Sequence, residues 1–160
     1  MPRTPRTDPP RAAPYVPGAG RARPELPIAG LLAADGAGQA GFSATLFAYG
    51  VDRFNGGYAW EAHECWEVLW RREPRGTRRW FLLRGLIQFA AARVKAAQGR
   101  AEGAAELHRR GLAALDQGLS PSATGDPLPG FDAEEFLRDA RRTGDSGGLP
   151  PIRWARPAPH

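Results

Sequence analysis

The chain has 160 residues, 42% of them hydrophobic, with a formal net charge of +5 and a single cysteine, Cys65. That length and apolar content suffice for one domain with a real core. One cysteine excludes an internal disulfide, and no apolar run reaches the length of a membrane span, so a soluble, cytoplasmic protein is expected.

Residues 1–41 read as a disordered leader rich in Pro, Gly and Arg, with eight prolines between Pro2 and Pro27. Its arginines flank no apolar core, so it does not resemble a secretory signal. The segment IAGLLAA (28–34) could dock on the body, though it is short and flanked by breakers. The folded domain is expected over residues 42–143. There Ser43 is placed to cap a helix running to about Arg53, and Gly56-Gly57 then breaks the chain. A second helix runs from about Tyr58 to Arg72 and ends at the turn EPRG, because Pro74 cannot continue it. A third, with Thr77 at its start, reaches about Gln98. A fourth covers about Ala101 to Leu119. After the loop SPSATGDPLPG, Asp132 with Glu135 three residues on makes a capping-box-like start for a short last helix. Residues 144–160 read as an extended tail that Ile152 and Trp154 could anchor. No alternating, β-branched run occurs, so the expected fold is all-α: a compact bundle of four to five helices between flexible termini.

The charge balance bears on partners. Residues 42–143 hold 15 Lys or Arg against 13 Asp or Glu, and the rest of the chain 7 against 4. Most of the excess belongs to the ends, whereas a nucleic-acid binder wants a basic face on its folded body. A nucleic-acid partner is therefore not expected.

The chemistry concentrates in FNGGYAWEAHECWEVLW (54–70). At about 100° per residue, His63, Glu67, Trp60, Trp66 and Trp70 share one broad side, with Glu64 at its margin and Cys65 opposite. The third helix is apolar almost all round, yet Arg84 and Gln88 fall on one stripe. Buried polar groups need partners. Arg84 and Gln88 are accordingly expected to face Glu64, Glu67 and His63 across a helix contact, with Gly85 letting the two backbones approach.

These residues resemble a known family. FNGGYAWEAHECWEVLW, followed by RGLIQFAAA and GRAEGAAEL, is similar to domain-of-unknown-function family 309, whose members are small, mostly prokaryotic, helical proteins. Phe54, Asn55, Gly57, Trp60, Glu61, His63, Glu64, Glu67 and Trp70 match the first part of its motif, and Gly85, Leu86, Ile87 and Gln88 the second. Arg84 departs from it, since glutamine is frequent there. The resemblance spans about Leu46 to Leu115. It implies an all-helical fold and no established activity, which leaves open whether the chain is an enzyme.

Three functional readings follow. The first is a binding or structural module, taking a small ligand or a protein partner, built on a polar network of His63, Glu64, Glu67, Arg84, Gln88, Trp70, Asn55 and Glu61; it needs no cofactor. The second is an enzyme using His63-Glu64-Glu67, by acid/base chemistry or with a divalent metal. His-Glu-x-x-Glu is one residue from the zinc-protease pattern, but a metal would need a third ligand beyond His63 and Glu67, and His108 is the available donor. The third is a phosphate or RNA-backbone contact through the run Arg71–Arg79, with Arg75, Arg78 and Arg79 at a helix N-terminus. The polar network is favoured over the metal, and a solvated loop over the anion site. Cys65 is expected to be a small buried hydrophobe.

Overall fold

The computed structural model describes residues 13–36, 41–143 and 149–155, and the fold is all-α. Six helices occur among the described residues: α1 (Ile28–Ala34), α2 (Ala44–Asn55), α3 (Ala59–Arg72), α4 (Arg78–Ala97), α5 (Ala101–Leu119) and α6 (Ala133–Thr143). The main packing contacts run between successive helices, and the α4–α5 pair is the most extensive. Among the described residues, no helix is long and apolar enough to cross a membrane.

The helix count exceeds the expected four to five by α1, which lies within the leader. Ile28, Leu31 and Leu32 are half-buried against the core, so IAGLLAA does dock. Burial of that face outweighs the poor intrinsic stability of a seven-residue helix. The leader thus has defined structure over residues 13–36; the expectation of disorder for 1–12 and 37–40 falls outside the described residues. Asp35, just past α1, accepts hydrogen bonds from Ser43 Oγ at 2.6 Å and Thr45 N at 2.8 Å. Its carboxylate thereby sits at the N-terminus of α2, where the helix dipole favours negative charge. Ser43 also caps α2 directly, accepting from Leu46 N at 3.2 Å.

The other helix starts divide. Asp132 Oδ1 accepts from Glu135 N at 2.9 Å, as the capping pattern predicts. Thr77 precedes α4, but its side chain makes no cap; its hydroxyl instead donates to Pro74 O at 2.8 Å, inside the turn. Gly76 in that turn has φ +83°, a conformation that disfavours other residues.

The core gathers Leu46, Phe47, Phe54, Trp66, Leu69, Leu83, Leu86, Phe89 and Leu115, all essentially without exposure. Trp66 fills its centre. Its indole N–H donates to Phe47 O at 3.3 Å, and its ring lies where a Cβ on Gly50 would stand. Gly85 acts elsewhere than expected. A Cβ there would come within 2.8 Å of Leu115 Cδ2 and 3.2 Å of Gly111 O, so this glycine brings α4 against α5, not against α3. Gly111 is correspondingly close to Phe89.

The C-terminal tail closes the body. Ile152 is buried, and Asn55 makes a two-way bond with it: Asn55 Nδ2 donates to Ile152 O, and Ile152 N donates to Asn55 Oδ1, both at 2.8 Å. Trp154 pairs with Phe131 in an isolated bridge and donates from its indole to Pro129 O.

Candidate functional site

Helix α3 places two sides in different media. Ala62, Cys65, Trp66 and Leu69 face the core, while His63, Glu64, Glu67 and Trp70 are half-buried. The i,i+4 pair His63–Glu67 and the i,i+3 pair Glu64–Glu67 are helix-surface neighbours. One potential ligand atom from each lies within 4.8 Å of the others.

The orientation within this group is specific. His63 Nδ1 stands 3.5 Å from Glu64 Oε1 and 3.9 Å from Glu67 Oε2. The second oxygen of each carboxylate is held by an arginine. Arg23 donates to Glu64 Oε2 at 2.9 Å, and Arg71 to Glu67 Oε1 at 2.8 Å. Each glutamate thus has one oxygen on an exposed cation and the other turned toward the imidazole. The three side chains retain 24–28% of their exposure, so the group opens to solvent on one flank.

Arg84 is not part of this arrangement. It is exposed, and its guanidinium lies over the Trp80 ring, 5.2 Å from the centroid. The seam expected between Arg84 and the two glutamates is therefore absent among the described residues; the acids take partners from the leader and from their own helix. The physical reason is the path of α4, whose Arg84 stripe lies on the solvent side while Leu83, Leu86 and Ala90 fill the interior. Gln88 is half-buried with its Oε1 enclosed and unpaired, and Trp70 Nε1 is in the same condition. Trp70 stacks at 5.5 Å on Trp80.

The remaining residues singled out in the sequence separate. Asn55 ties down the C-terminal tail, away from the imidazole group. Glu61 is buried and lines a cavity beneath the leader. His108 is buried on α5, edge-on to Phe89 at 5.3 Å; the His/Glu group whose potential ligand atoms lie close together is His63, Glu64 and Glu67. Of the arginine loop, Arg78 donates to the carbonyls of Gly118, Ala123 and Gly125, and Arg79 to Pro127 O and Glu73. These two clamp the α5–α6 connection. Arg75 alone of the three is exposed.

Cys65 is sealed in the core. Burial, reinforced by the negative charge of Glu64, pushes its thiol up to about 12. It stays protonated at neutral pH and is no nucleophile.

Two structural arginines escape the sequence reading. Arg23, in a segment expected to lack structure, offers no periodicity from which to place it. Arg93 donates to Phe54 O and Leu149 O and lies 3.9 Å over the Phe54 ring. Burial holds its guanidinium below the usual arginine range. Arg71, by contrast, is signalled by its position four residues after Glu67.

The family model described as Domain of unknown function (DUF309) matches residues 47–107. That stretch contains α3 and α4 entire, most of α2 and the start of α5. The resemblance read from the motif therefore holds over this segment. No curated protein and no solved structure matches the chain.

Proposed function

We propose that this chain, similar to DUF309 over residues 47–107, is a helical binding module that holds a divalent first-row metal ion with His63, Glu64 and Glu67. The observation that carries the reading is the orientation of the two carboxylates. Each has one oxygen fixed by an arginine and the other directed toward His63 Nδ1. Outer partners that orient the ligating groups are a regular feature of metal sites. One imidazole nitrogen and two carboxylate oxygens suit Zn, Mn or Fe better than a soft or an all-oxygen-seeking ion. All three donors come from one helix, so the rest of the coordination sphere would face solvent and the leader. The single cysteine accords with work in a reducing cytoplasm.

A second reading rests on a separate observation. Arg23 spans from Glu64 to the face of Trp60, with its guanidinium 5.1 Å from that ring. On this view the cluster is a metal-free polar network that docks the leader.

Metal titration of the full chain, purified without a histidine tag, separates the two. A bound ion raises the melting temperature, because a ligand present at a hundred times its Kd adds about 2.7 kcal/mol. The rise should vanish in His63→Ala and in Glu67→Gln. Melting that ignores Zn, Mn and Fe in the wild type would leave the network reading in place.

A further inference from the structure

Beneath the leader, between it and helices α2 and α3, lies a cavity of about 440 Å³. Such a volume falls in the range of small-molecule sites. Its walls include Tyr15 and Ala22 from the leader, Tyr49 and Arg53 from α2, and Tyr58 and Glu61 at the start of α3. None of these belongs to the imidazole group.

Two charged side chains in this wall are left incomplete. Glu61 is only 7% exposed, and its Oε2 is buried without a hydrogen-bond partner. Arg53 Nε is buried and equally unpartnered. The Arg53 guanidinium is held in place by two aromatic faces, at 4.8 Å from the Tyr49 centroid and 5.5 Å from that of Tyr58. No ion pair joins Arg53 to Glu61 among the described residues. Both residues line one pocket, and each keeps a polar atom that no protein group satisfies, one acidic and one basic.

We infer that this cavity binds a small zwitterion of the α-amino-acid class, whose ammonium group meets Glu61 and whose carboxylate meets Arg53. Arg21 and Glu25 line the same cavity, so its wall carries both signs of charge, and a simple cation or anion would match one sign and be opposed by the other. A molecule carrying both groups satisfies both, and the tyrosine rings give its side chain an apolar wall. The leader closes the site from above.

The test is calorimetric titration of the full chain with L-phenylalanine, L-leucine, L-glutamate and L-lysine. At least one should bind with Kd below about 1 mM. For that amino acid, the amine lacking the carboxylate and the acid lacking the amine should each bind at least about tenfold weaker, a factor equal to about 1.4 kcal/mol. Glu61→Gln should weaken binding by a similar factor. Ala22→Trp, which fills the cavity from an exposed leader position, should abolish it and decides the matter if Glu61→Gln does not fold. His63→Ala should bind the amino acid as the wild type does, which keeps this site independent of the metal reading. Failure of all four amino acids to bind, equal binding of the amine or the acid alone, or binding unaffected by Ala22→Trp would each overturn the inference.

Discussion

The α4–α5 seam and the outer face of α3 use opposite means to hold helices and chain together. In the seam, Gly85 and Gly111 let Leu115 and Phe89 close against the facing backbone, and the contact is apolar. On α3, Glu64 and Glu67 hold Arg23 and Arg71 through ion pairs whose arginines are 68% and 69% exposed. Tight apolar packing is sensitive to single atoms, whereas ion pairs to exposed partners contribute roughly 0–1 kcal/mol each. The seam thus specifies the fold, whereas the ion pairs on the α3 face add little to its stability.

The largest predicted effect strikes the seam. Gly85→Leu should destabilise by about 3 kcal/mol or more in urea denaturation, since its new atoms meet a backbone oxygen that cannot rotate away. A loss under about 1 kcal/mol would show that α4 and α5 can separate cheaply, and would dissolve the contrast.

An intermediate effect comes from the buried side of α3. The Cys65 thiol ionises near 9 in an unfolded chain and near 12 in the folded one. Above pH 9 the unfolded state therefore binds fewer protons, and stability falls as pH rises toward 12. By about pH 11, two units above the unfolded value, this amounts to roughly 3 kcal/mol. Comparing alkaline urea titrations of the wild type and Cys65→Ala isolates that share: the variant should lose less stability over the same range. Parallel curves would place the thiol in contact with water.

The smallest effects belong to the exposed pairs. Glu67→Ala and Arg84→Ala should each change stability by under about 0.5 kcal/mol. A cost of several kcal/mol for Glu67→Ala would imply a buried cation that the α3 face does not have.

Helix existence and type were legible in the sequence because α2 to α6 are long, periodic and bounded by strong signals such as Ser43, Pro74 and Asp132. The partners of the polar groups were not. A helical wheel orders residues around one axis but does not say which direction the neighbouring helix lies in. Arg84 and Glu67 could be matched by charge; that α4 turns Arg84 to solvent depends on α5 taking the Gly85 side. Glycine and proline in the leader suggested disorder, whereas Tyr15, Arg23 and the α1 leucines find surfaces on the body. Of the candidate site, the His63-Glu64-Glu67 triplet was visible as a spacing, and its orienting arginines were half visible: Arg71 by helical register, Arg23 not at all.

The clasp between Asn55 and Ile152 joins positions 97 apart in the chain. Closing so long a loop before the intervening helices are in place carries a large entropic cost with little return. The clasp is thus a late event in folding and an early casualty of opening. Hydrogen exchange at the Ile152 amide should report local fraying well before the interior of α4 exchanges, giving a built-in gauge of how firmly the end of the chain is seated.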